Sequence, residues 1–250
     1  GSLEGFDTVI HLAGLGIGDK RWNAQRKERI WSSRTVPTEH LVRLFATLEQ
    51  PPKAFMCGSA VGFYGNRGDE SLTESSSPGD DFLSEMCQAW EAAAAPAQEL
   101  GIRTVWLRTG LVTTPMGGAL QQLMLPTLLG AGGPAGGGRQ YYPWISLHDH
   151  IYATYHLMMN DACDGPYNLT APEPVTQKQY AKTLGKVLLR PWFAPAPGFV
   201  LKIVFGELAQ ALVLSGQRAL PKRLQDSGFT FQHDHLEACL RQCLGKQKLP

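Results

Sequence analysis

Residues 8–22 read TVIHLAGLGIGDKRW. An apolar run from Thr8 to Ala13 leads into glycines at 14, 16 and 18, and a helix-like segment follows. Strand, glycines, helix is the order in which a dinucleotide-binding loop begins. The spacing argues against that reading. The fingerprint is Gly-x-Gly-x-x-Gly, and here the third glycine comes one residue early. It also needs a second strand ending in Asp or Glu about 20 residues on, to hold the ribose hydroxyls. Residues 34–48 instead carry a helical pattern with Glu39 inside it, and the next strand begins near residue 54. The dense glycines at 132–138 follow a helical segment and lead into no helix. Residues 8–22 are therefore read as a sheet strand and a glycine-tolerant turn.

Working outward, residues 6–13 predict a buried strand, and 22–33 a polar helix. Residues 38–48 carry a helical stripe of apolar side chains that Pro51-Pro52 ends. A short strand at 54–57, a helix at 82–99 and a strand at 102–112 follow. Strands alternating with helices predict a parallel α/β sheet. Past residue 113 the texture changes. Residues 128–140 form a glycine-rich loop, either flexible or bordering a ligand cleft. A short strand and a helix starting near His148-Asp149 occupy 141–159, and 165–171 is a strand. A helix at 177–189 takes Thr176 as its cap. A proline-rich linker, an apolar helix at 199–214, then a short strand and a closing helix complete the chain. The fold class expected is α/β: a Rossmann-like domain over 1–160 and a small α+β C-terminal domain over 161–250.

Bulk properties exclude several classes. With 250 residues and a net charge of +1, the chain shows no basic field for nucleic acid or a membrane surface. No run of roughly 18 apolar residues marks a membrane helix. The five cysteines are scattered without zinc spacing and read as reduced thiols of a cytosol-like compartment. The start Gly1-Ser2 reads as a cloning scar or the edge of a fragment. A whole Rossmann sheet needs more leading strands than these residues supply, so strands ahead of residue 1 are expected to be missing.

A resemblance ties these pieces together. FDTVIHLAG, GSAVGFYG, WEAAA, LRTGLV, GRQYYPWISLHDH and Gly216-Gln217-Arg218…Pro221-Lys222-Arg223-Leu224 follow one another across nearly the whole chain. In that order they resemble an atypical branch of the extended short-chain dehydrogenase/reductases, the NAD-dependent epimerase/dehydratase-like family of bacterial and organellar proteins. The resemblance implies that TVIHLAG is the sheet's fourth strand, with the phosphate-binding loop upstream. It implies NADP as cofactor and a small molecule, not identified by the residues, as substrate. Leu12 and Ala13 take the family's adenosine-side position, and Glu28 and Arg34 fall where the family contacts cofactor. The planar fork of Arg34 suits phosphate.

The resemblance also assigns Ser59 to the family's catalytic serine, which donates to a substrate oxygen. Its partners, Tyr-x-x-x-Lys, are absent. The expected stretch reads FLSEMCQAWE, with Leu83, Ser84 or Glu85 and then Cys87, Gln88 or Ala89 at the dyad positions. Tyr64 is the alternative acid/base candidate, facing a substrate from the mouth of the strand, provided a cation lies near. Cys87 is better read as a buried thiol than as a nucleophile.

Val112 ends a strand where open α/β sheets hold ligands and is a nicotinamide-side candidate. Arg139, Gln140, Trp144 and Arg218 are substrate-side candidates for an anionic or planar ligand, or else interdomain packing and surface charge. His148-x-His150 reads as a helix start, not a metal pair, and His233 and His235 read as a solvated turn. By resemblance, Asp149 anchors the helix entering the second domain. The chain is expected to be an oxidoreductase or epimerase-like enzyme, a non-catalytic nucleotide sensor or interaction protein, or a cofactor-free remnant. Its oligomeric state is left open.

Overall fold

The computed structural model describes residues 3–246. Gly1 and Ser2, where the cloning scar or fragment edge was read, lie outside them. The central strand is the apolar heptapeptide Ala54–Ala60 (β2), buried on both faces along almost its whole length. Its side chains alternate, as a pleated strand requires. Ala54 and Met56 meet Val105, Leu107, Ala153 and Leu157, whereas Phe55 and Cys57 meet Val42, Phe45 and Trp90. Two covered faces are what a parallel sheet demands.

Four parallel strands form this sheet in the order Thr8–His11 (β1), β2, Arg103–Thr109 (β3) and Gly165–Leu169 (β4). The helices Ala24–Phe45 (α1) and Phe82–Ala94 (α2) lie on one face. Leu147–Met159 (α3) lies on the other. β4 thus runs in the same sheet as β1, although the sequence reading put residues past 160 in the C-terminal unit. The fold is α/β and Rossmann-like.

Some expected elements differ. Among the described residues β1 lies at the edge of the sheet, with Val9 packed toward α1 and Ile10 47% exposed. The two helices expected at 22–33 and 38–48 are one helix that runs through Pro37. The apolar helix expected at 199–214 is broken at Gly206, whose φ of 65° ends Gly198–Phe205 before a second helical segment, Ala209–Leu214. No strand forms at 228–232. The helix Gln177–Leu188 starts as expected, with Thr176 and Gln179 forming a capping box.

Candidate functional site

The turn after β1 does not form a phosphate cradle. Its backbone is bound to α1: Leu15 N–H donates to Ser33 Oγ at 3.0 Å. The Gly16 and Leu15 carbonyls accept from Arg26 and Arg34 at 2.6 and 3.1 Å. A Cβ at Gly14 would stand 3.0 Å from Arg34 Cζ, so any larger residue would push the arginine from its place. Gly14 leaves room for an arginine of α1 at the end of the strand, whereas a Cβ at Gly16 would meet the Asp19 carboxylate.

What Arg34 reaches is a cavity of about 400 Å³ at the carboxyl ends of β1, β2 and β3. Leu12, Ser59, Thr109 and Val112 border it from the strand ends. Leu83 and Cys87, one turn apart on α2, form one wall. Tyr141, Tyr142 and residues 211, 212 and 215–217 close it from the C-terminal side. Parallel α/β sheets bind ligands at this edge.

Arg34 is buried, its guanidinium 5.2 Å from the Trp90 ring. Nη1 and Nη2 donate to Ile30 O and Leu15 O, but its buried Nε has no partner. Ser59 Oγ donates to Glu91 Oε1 at 2.7 Å, not into the cavity. The same carboxylate takes both Nε and Nη2 of Arg108 at 2.8 Å, a bidentate ion pair. Glu91 comes from the quoted WEAAA stretch, but its role emerges only where α2 crosses Ser59 and Arg108.

Tyr64 is not at the mouth of the strand facing a substrate. It is fully buried and outside the cavity lining. Its hydroxyl donates to Asn168 Oδ1 at 2.7 Å and accepts from Arg108 Nη1 at 3.0 Å. The cation that acid/base work requires is present, yet burial dominates and pushes the phenol up to about 12. The Cys87 thiol is likewise pushed up to about 12 by burial.

The other candidates divide. Leu12 and Val112 border the cavity; Ala13 is exposed beside Leu12 and does not line it. Glu28 faces a separate hollow with Lys27, Trp31 and Phe82. Trp144 is a core residue whose Nε1 donates to Glu173 O at 3.0 Å. Arg139 is exposed and does not line the cavity. Gln140 bonds the backbone of Ala135 and Val213. Arg218 stacks on Tyr141, 5.3 Å from the ring, and reaches the Asp69 carbonyl. No substrate-side arginine lines the cavity.

The sequence reading missed His150. It lines the cavity through the first turn of α3, and its Nε2 lies 3.1 Å from Thr109 Oγ1. Burial pulls its imidazole below the ordinary histidine range. Asp149 turns the other way. Its carboxylate accepts from the backbone N–H groups of Gln232 and His233 at 2.8 and 3.0 Å and from Ser146 Oγ at 2.7 Å. His233 is therefore buried and not part of a solvated turn. Ligand atoms of His148, Asp149 and His233 lie within 4.8 Å of one another, but three donors already occupy the Asp149 carboxylate.

Comparison with known proteins agrees with this geometry. The NAD dependent epimerase/dehydratase family model matches residues 2–170. The chain belongs to that family. A second model, a domain of unknown function named DUF1731, matches residues 196–243. The epimerase family protein YfhF of Bacillus subtilis is 39% identical over 247 residues, covering 98% of this chain and 80% of that protein. Among solved structures, the human epimerase family protein SDR39U1 (isoform 2), crystallised with NADPH, aligns with a TM-score of 0.92 at 32% identity. That alignment covers 98% of this chain and 84% of the human one. A nucleoside-diphosphate sugar epimerase of Corynebacterium glutamicum aligns with a TM-score of 0.78 at 35% identity, covering 97% and 47% of the two chains. Family membership makes this a short-chain dehydrogenase fold of the NAD(P)-binding kind. No helix among the described residues is long and apolar enough to cross a membrane.

Proposed function

We propose that the cavity at the carboxyl edge of the sheet holds NADP(H), and that the protein is an epimerase-like oxidoreductase working without the Tyr-x-x-x-Lys dyad. The observation that carries this reading is the unpartnered, buried Nε of Arg34 in a cleft whose other lining side chains carry no permanent charge. A buried donor without a partner costs about 1–3 kcal/mol, which a ligand phosphate or hydroxyl recovers. Leu12 and Val112 border the ligand from two strand ends, and Arg34 offers it a fixed cation. When bound, the cofactor supplies a hydride. The human relative's NADPH supports the phosphorylated form.

Ser59 plays a different part from that implied by its family position. Its hydrogen goes to Glu91, so its oxygen offers lone pairs to the cleft and accepts from a ligand N–H or O–H. Glu91 and Arg108 position it. Leu83 and Cys87 stand on the α2 face that lines the cleft and supply no proton. That absence favours a second reading, a nucleotide-binding sensor that does no chemistry. Titration with NADPH, followed by nicotinamide fluorescence, tests the first claim; a micromolar or tighter complex is expected. Failure to bind sinks both readings. Binding without oxidation or reduction of any carbonyl or alcohol in a broad screen leaves the sensor.

A further inference from the structure

The cleft's charge says what can lie beside the cofactor. Among the residues lining it, Arg34 is the only permanently charged side chain. Arg34 stands at the Leu12 end, with Nη1 and Nη2 already donating to backbone carbonyls. The one histidine lining the cleft, His150, is buried there, and burial disfavours its imidazolium. The C-terminal wall contributes Ala211, Leu212, Ser215, Gly216 and Gln217, none of them cationic. Arg139 is exposed, and Arg218, 5.3 Å from the Tyr141 ring with a buried Nε that has no partner, is not among the residues that line the cleft.

A nucleoside diphosphate sugar carries two negative charges, and no cationic side chain among the described residues lines this wall. Burying an uncompensated charge is far more costly than burying a neutral polar group. The neutral groups available are Thr109, His150, Tyr141 and Gln217, set among Leu83, Leu111, Tyr142 and Leu212. Thr109 Oγ1 donates to Leu107 O and also meets His150 Nε2, so the threonine and histidine form a neutral polar corner at the end of β3.

We infer that the second ligand of this cleft is an uncharged, mainly apolar molecule bearing a carbonyl or hydroxyl group, and that nucleoside diphosphate sugars are excluded. The inference rests on the proposed NADP(H) site only for the ligand's neighbour; the charge argument concerns the C-terminal wall alone.

Saturation-transfer difference NMR on the full chain, with and without NADPH, tests it with three probes: acetophenone, 2-decanone and UDP-glucose. The two ketones are expected to receive saturation, and UDP-glucose at the same concentration to receive none. A Leu212→Arg variant, checked for folding by circular dichroism, places a cation and its desolvation cost in the wall. It should weaken the ketone signals roughly tenfold. UDP-glucose binding to the unaltered protein overturns the inference. So do ketone signals that are absent, or that survive Leu212→Arg in a folded protein. Loss of NADPH binding with intact ketone signals removes the cofactor reading and leaves this one standing.

Discussion

Ser59 Oγ donates to Glu91 Oε1 at 2.7 Å, and the same oxygen receives Arg108 Nε at 2.8 Å. One carboxylate therefore neutralises a buried guanidinium and sets the direction of the strand-end hydroxyl.

Removing that carboxylate leaves Arg108 buried and unpaired, its Cζ 3.5 Å from the Phe63 ring. Glu91→Ala should lose about 3–5 kcal/mol of unfolding free energy. Urea denaturation measures it. A loss under about 1 kcal/mol means the pair is not what holds β3 to α2.

Arg34 and Glu28 separate by position. Arg34→Ala should weaken NADPH about tenfold, near 1.4 kcal/mol. Glu28→Ala should leave the affinity unchanged, since Glu28 faces another hollow. Fluorescence titration of the two variants decides it, and equal effects would contradict the placement.

Tyr64→Phe removes the bonds to Asn168 and Arg108 inside the core. A stability loss of about 1–3 kcal/mol with unchanged NADPH affinity is expected. Equilibrium unfolding and titration of the same variant read both. A large affinity change would restore Tyr64 to the site.

His150 makes stability depend on pH. Its folded pKa lies below the ordinary 6.5 because burial opposes the charge. Between the two values the unfolded chain binds more protons, so stability rises with pH there. The contribution is intact above about pH 6.5 and is lost as pH falls toward the folded value. His150→Gln should show a shallower drop in urea midpoint between about pH 7.5 and pH 5 than the unaltered protein. Parallel slopes would contradict it.

The thiols should differ in reactivity. Burial pushes Cys57 and Cys87 up to about 12. Cys243, half-buried, is held below its ordinary value by a hydrogen bond from Cys239. Brief iodoacetamide treatment near pH 8 should label Cys243 and spare Cys57 and Cys87, read by peptide mass spectrometry.

The strands and helices were legible where periodicity and caps speak locally. The short strand read at 54–57 is there, extended to Ala60 by the structure, and Thr176 caps the helix it was read to cap. The missing dyad was legible too, because no tyrosine stands at residues 83–85 and no lysine at 87–89. What the glycines of residues 8–22 do was half legible. Spacing ruled out the fingerprint but did not show that Gly14 makes room for Arg34.

The rest depends on contacts between residues far apart in the chain, which no local pattern records. Tyr64 lies beside a cation, as acid/base work requires, yet Asn168, 104 residues away, takes its hydroxyl and the core covers it. Arg218 and Trp144 have the chemistry of a binding site, but one stacks on Tyr141 and the other packs inside the protein. Glu91 and His150 lie in quoted stretches that assign them no role, and they acquire roles only where α2 crosses Ser59 and α3 meets Thr109. The sequence by itself determined the α/β class, the family and the absence of the dyad, because each is written in neighbouring residues. Tertiary structure alone decided which side chains face the cleft, because burial and charge pairing belong to the packed chain.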